Sequence, residues 1–114
     1  CSVVFGPGNR AAFQQVNRTG VAGDVYSFGM YSASQNAPIG GNYRIELSFF
    51  NNLNKPMGKS SLYFNPLTHG FEFASGSAGP TGNYNKIIFK FIYNNTSGRA
   101  WFDDAFLYFL GNIP

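Results

Sequence analysis

Between Asn42 and Phe50 the chain changes sides at every residue. Tyr43, Ile45, Leu47 and Phe49 alternate with Arg44, Glu46 and Ser48. A period of two puts successive side chains on opposite faces of an extended backbone, so this segment reads as a half-buried strand with one wet side. Residues 24–32 repeat the pattern, with Tyr26, Phe28 and Met30 opposite Val25, Ser27, Gly29 and Tyr31. Residues 86–93 set Ile87, Phe89, Phe91 and Tyr93 against Ile88, Lys90 and Ile92. Shorter strand signals lie at residues 2–5, 11–17, 59–64 and 70–75, and residues 99–110 form a last strand that is apolar on both faces. Gly, Pro, Asn and Ser clusters separate them, at 6–9, 19–24, 35–41, 51–58, 65–66, 77–83 and 94–98. Strand signals about every ten residues are the mark of a sandwich or barrel. No segment keeps a helical period with caps. The sequence therefore predicts an all-β protein, a jelly roll of about eight antiparallel strands in two sheets.

The 114 residues make one domain, 1–114, large enough for a core without staples. Aromatics at 18% and charged residues at 11% are the opposite of a disordered composition. The net charge of +3 comes without any run of Lys or Arg, so nucleic acid is not an expected partner. No apolar run is long enough to span a bilayer as a helix, and a membrane is not expected either. No signal peptide is seen, so the chain reads as a mature or excised module. The single Cys1 excludes an internal disulfide and a thiolate cluster. It reads as a boundary residue ahead of a buried small hydrophobe or an intermolecular thiol. The two apolar faces of the last strands predict either full coverage or a face that meets a neighbour.

Proton-handling groups are few. The acids are Asp24, Glu46, Glu72, Asp103 and Asp104. Glu46 and Glu72 form a glycosidase pair only if they flank one bond, and each reads instead as the wet side of a strand. His69, the one imidazole, sits in a Pro- and Gly-flanked stretch and reads as a solvated loop residue, with no nucleophile elbow near it. Gly6-Pro7-Gly8 is a turn, since no helix follows to hold phosphate. Asp103 and Asp104 are more telling, because adjacent acids in an aromatic strand need partners if buried. By alternation, Asp103 shares a face with Trp101, Ala105 and Leu107, and Asp104 with Phe102 and Phe106. Calcium and backbone N–H groups are equally open as the partner.

Aromatic rings can take the C–H faces of sugars while planar polar groups take the hydroxyls. Tyr31 stands beside the small Ser27 and Gly29, and Arg44 and Glu46 lie on the wet side of a strand. Tyr63, Tyr84 and Trp101 complete the candidate set. A role in core or edge packing is the competing reading for each ring.

Two stretches carry a resemblance. The first runs from Val21 through Gly23-Asp24-Val25-Tyr26-Ser27-Phe28-Gly29 to Tyr31 and Ala37-Pro38. The second runs from Tyr93-Asn94-Asn95 to Ala100-Trp101-Phe102-Asp103-Asp104-Ala105, with Leu107 and Tyr108. Phe64-Asn65-Pro66 and Phe71-Glu72-Phe73 keep the order between them. Over residues 11–110 the chain resembles the carbohydrate-binding-module-like jelly rolls of bacterial YD-repeat (Rhs-type) and wall-associated surface proteins. More distantly it is similar to the galactose-binding-like jelly rolls attached to glycoside hydrolases.

The resemblance implies a secreted or cell-surface module that binds polysaccharide without catalysis. The alternative is a structural or protein-interaction domain with no sugar ligand, and a small glycosidase comes third. It also implies a structural calcium ion at Asp103. Two departures qualify this. Tyr31 stands where relatives carry Trp, and the acid-bearing strands that usually open such modules are not seen. A missing N-terminal strand would leave a sheet edge exposed, so self-association is a further expectation.

Overall fold

The inward rings of the alternating strands cannot be buried by one sheet alone, and the chain solves this by facing two sheets. The computed structural model describes residues 3–39, 41–95 and 97–112. Cys1 lies outside them. The described residues form β1 (Val3–Phe5), β2 (Gly8–Val16), β3 (Asp24–Ala37), β4 (Asn42–Phe50), β5 (Pro56–Tyr63), β6 (Leu67–Ala78), β7 (Lys86–Asn95) and β8 (Arg99–Asn112). One sheet has the order β1-β8-β3-β6 and the other β2-β7-β4-β5. Every pairing is antiparallel. Each sheet interleaves strands from both halves of the chain, which is the winding of an eight-stranded jelly roll.

The core is the set of inward positions read from the period of two. Tyr26, Phe28 and Met30 of β3 face Tyr43, Ile45, Leu47 and Phe49 of β4 and Ile87, Phe89 and Tyr93 of β7, and each is at most 6% exposed. Residues 35–37, expected in a loop, continue β3. Gln35 pairs with Arg99 and Ala37 with Leu67, so the ladders carry the strand to Ala37 through an irregularity at Asn36, whose φ is +55°. The β7–β8 turn closes at Gly98, whose φ of +76° an L side chain rarely adopts. A Cβ there would also meet the Asn36 carbonyl oxygen.

The face assignment of β8 needs correction. Gly29 pairs with Phe106, but Tyr31 pairs with Asp103, so one extra residue enters β8 opposite Met30. This is a β-bulge, and Asp104 takes a φ of +52° within it. The bulge inverts the alternation beyond it. Leu107 packs against the core with Phe102, while Phe106 turns outward to the side of Asp103. Alternation alone had put Leu107 with Asp103 and Phe106 with Phe102. No period-two reading can foresee a one-residue insertion, because a slip of one moves every later side chain to the other face.

Gly29 lies where the bulge brings neighbours close. A Cβ at this position would stand 2.5 Å from the Ala74 carbonyl oxygen and 2.7 Å from Cε1 of Phe106. Gly29→Ala should therefore force backbone movement and cost about 1–3 kcal/mol by overpacking. Urea unfolding monitored by Trp101 fluorescence measures this as a lower midpoint at unchanged slope.

Candidate functional site

Strand register gathers the polar candidates on the outer face of β2-β7-β4-β5. Arg44 lies between Tyr63 of β5 and Ile92 of β7, and Glu46 between Ser61 and Lys90. Lys90 in turn neighbours Phe13 of β2. Two rows therefore cross the sheet, Tyr63–Arg44–Ile92–Ala11 and Ser61–Glu46–Lys90–Phe13. Tyr63 and Phe13 stand on opposite edge strands and are 66% and 64% exposed. Three strand spacings separate those edges, about 14 Å.

The charges between the rings are fixed by one another. Nε of Arg44 donates to Oε2 of Glu46 at 2.8 Å, and a second guanidinium nitrogen donates to Asn42 Oδ1 at 2.9 Å. Nζ of Lys59 lies 3.9 Å from the same carboxylate oxygen. The Arg44 guanidinium stands 5.9 Å from the Tyr63 ring centroid. Burial pushes the Glu46 carboxyl up, but the Arg44 hydrogen bond and the charges of Arg44, Lys59 and Lys90 outweigh it and hold it below its ordinary value. Arg44 has five N–H donors and uses two here, so donors remain for a ligand.

Tyr31 and Trp101 are on the other sheet's outer face, a sandwich thickness away from Arg44 and Glu46. Tyr31 packs at a tilt against Phe73 at 4.8 Å, Phe73 stacks on Phe106 at 5.6 Å, and Phe106 packs at a tilt against Tyr108 at 5.4 Å. Phe73 and Phe106 come from strands that flank β3 and meet over Gly29 with their planes 20° apart. Trp101 pairs with Val4 and Ala33 on the same side.

Tyr84 is on neither face. It is 2% exposed, and its hydroxyl donates to Asp24 Oδ2 at 2.8 Å and meets Tyr26 Oη at 2.6 Å. A ring so placed cannot touch a ligand, so Tyr84 leaves the binding set for the core. Asp24 also accepts from Asn112 Nδ2 at 3.0 Å and from the Val21 N–H at 3.1 Å. This hub ties β3 to the end of β8 and to the 79–85 loop.

The remaining acids do not converge. Glu72 accepts from the Asn65 backbone and side chain at 2.9 Å, on a strand of the opposite sheet from Glu46. His69, expected in a loop, belongs to β6. Its ring lies parallel to that of Tyr43, and its nitrogens face the Gly70 and Asn65 carbonyl oxygens at 2.7 and 2.8 Å. Asp103 Oδ1 accepts the Asp104 N–H at 2.9 Å. Among the described residues no three His, Cys, Asp or Glu side chains gather as a metal cage. A calcium ion at Asp103 would have to complete its six to eight oxygens from backbone carbonyls, amide side chains and water.

Sequence reasoning passed over Phe13 and Lys90. Lys90 was legible as an outward position between Ile88 and Ile92, but its place between Glu46 and Phe13 needs the strand order. It also passed over the asparagines that line an open cleft of about 450 Å³ at one end of the sandwich, among them Asn51, Asn52, Asn83 and Asn85. They had read as turn residues.

The fold matches known structures across almost the whole chain. The enzymatically active domain of tailspike protein 4 of bacteriophage CBA120 superposes with a TM-score of 0.70 at 15% identity, over 96% of this chain and 15% of that one. Family 16 Carbohydrate Binding Module-2 gives 0.65 at 13% identity, over 92% and 74%. A CBM4 structure gives 0.63 at 11% identity, over 95% and 82%. The chain spans less than a fifth of the first of these, but most of the two binding modules. No protein-family model and no curated protein sequence matches it. At these identities the likeness shows a shared β-sandwich fold, one used by carbohydrate-binding modules.

The Asp24 hub has a pH consequence. The Asn112 and Tyr84 hydrogen bonds hold the Asp24 carboxyl below its ordinary value of 3.8. A lowered folded-state pKa gives stability that is complete above the unfolded pKa and is lost as pH falls through the folded one. The stability gap between the native chain and Asp24→Asn should therefore be constant above about pH 5 and shrink below about pH 4. Thermal melts from pH 2 to 7 test this. A gap that does not change across that range removes the ionised carboxylate from the account.

Proposed function

We propose that this chain is a non-catalytic carbohydrate-binding domain of a secreted or cell-surface protein. It holds a polysaccharide against the outer face of β2-β7-β4-β5. The observation that carries this is a polar surface over two adjacent rows, with Arg44 held by the buried Glu46 and Lys90 beside them, set between two exposed rings, Tyr63 and Phe13. The rings would cover the apolar C–H faces of sugar residues, and the guanidinium and ammonium would pair with hydroxyls, with the buried Glu46 carboxylate holding the guanidinium in place. The fold shared with Family 16 Carbohydrate Binding Module-2 and CBM4 supports the reading. The separation of Glu46 and Glu72 onto different sheets supports a role without bond cleavage.

A second reading, a protein-interaction domain, is favoured by the row Tyr31–Phe73–Phe106–Tyr108, whose outer members are 41% and 64% exposed. The two readings use opposite faces, so substitutions separate them. Isothermal titration against soluble xylan, β-glucan, galactan and arabinan should show binding to one of them. Tyr63→Ala and Arg44→Ala should each weaken it about tenfold, which is ~1.4 kcal/mol. Tyr31→Ala and Trp101→Ala should leave it within about twofold, below ~0.5 kcal/mol on the same scale. Loss of binding in Tyr31→Ala but not Tyr63→Ala would move the site to the other sheet. Silence across the panel would leave the protein-interaction reading.

A further inference from the structure

One edge of the sandwich is left open in a way that specifies its own complement. β8 runs from Arg99 to Asn112 and pairs along its length with β3 on one side. On its other side β1 covers only Ala100, Trp101 and Phe102. Among the described residues, the backbone from Ala105 to Leu110 has no ladder partner on that side. Directly beneath the same stretch the two sheets stand apart over a cavity of about 250 Å³, lined by Val16, Ile87, Phe89, Leu107 and Phe109. In the other sheet, β2 pairs with β7 over nine residues there, so the gap faces a fully built wall.

From these two features we propose that the free edge of β8 and the cavity beside it form a receptor slot for an extended polypeptide segment, which adds as a further strand. An unpaired row of N–H and C=O groups is satisfied along its length only by another extended backbone. A strand laid there would present alternate side chains inward, to the cavity, and outward, to solvent. At about 30 Å³ per water-sized group, the cavity takes about two or three small branched side chains. The segment is therefore apolar at every second position, the mode of strand addition to a sheet edge.

Charge fixes its direction and ends. The segment continues the antiparallel pairing that β1 makes with β8, so its N-terminal end lies by Phe109 and its C-terminal end by Asp104. Arg18 holds its guanidinium 4.3 Å from the Phe109 centroid, and Asp104 is exposed at the far end. An acidic residue at the first end and a basic one at the second complement these charges. The slot lies between the sheets, away from Arg44 and Tyr63, so it stands independently of the glycan reading.

A fusion tests it. An eight-residue segment with glutamate first, lysine last, and valine alternating with threonine between them is placed before Cys1 through a flexible glycine–serine linker. A control carries proline in place of the inner valines, which removes ladder donors. The valine fusion should slow amide exchange over residues 105–110 about tenfold or more relative to the control. Its melting temperature should rise by several degrees, about 4–8 °C for the equivalent free energy. Equal melting and equal exchange in the two fusions would overturn the proposal. If the fusion aggregates, the same peptide added in trans should shift the resonances of residues 105–110 and of the cavity side chains. Shifts elsewhere, or none, would count against the slot.

Discussion

The ring of Phe102 lies against those of Phe5, Tyr43, Phe64 and Phe91, drawn from both sheets and from four different strands or loops. That inter-sheet aromatic packing is the constraint on which the rest of the molecule depends. Rings set edge to face and offset fill the roughly 10 Å between two sheets with few gaps. Once those rings are inside, the period of two forces every intervening side chain outward. The polar surface on one face and the aromatic row on the other are both consequences of what the core requires.

The two outer faces differ because their intervening residues differ. On β4, β5 and β7 those residues are Arg44, Glu46, Lys59 and Lys90, and the cations gather around a Glu46 carboxylate that they cover from solvent. On β3, β6 and β8 they are Tyr31, Phe73, Phe106 and Tyr108, which pack ring against ring, with Asp103 opposite Tyr31 at one end.

Buried polarity in this protein holds position. Asp24, Tyr84 and Tyr26 form a connected set in which each group is satisfied, and among the described residues no buried side-chain nitrogen or oxygen lacks a partner. Such a network fixes how the start of β3 meets the end of β8. Burial raises the Tyr84 hydroxyl far above its ordinary range, so it stays protonated and keeps donating. The same holds more weakly for Tyr93, whose hydroxyl donates to the Ser97 carbonyl at 2.6 Å.

By itself the sequence determined the all-β class, the inward faces of β3, β4 and β7, and the outward place of Arg44 and Glu46. All of these follow from a local period of two, which needs no knowledge of neighbours. Only the tertiary structure decided that Tyr63 and Lys90 join Arg44 and Glu46 while Tyr31 and Trp101 do not, because strand order is set by long-range pairing that leaves no local mark. It also decided that Tyr84, identical in type to the exposed tyrosines, turns inward to Asp24. And it decided the faces of β8 from Ala105 to Phe109, since one inserted residue reverses them and a second, before Gly111, restores them, while the composition of the strand stays unchanged.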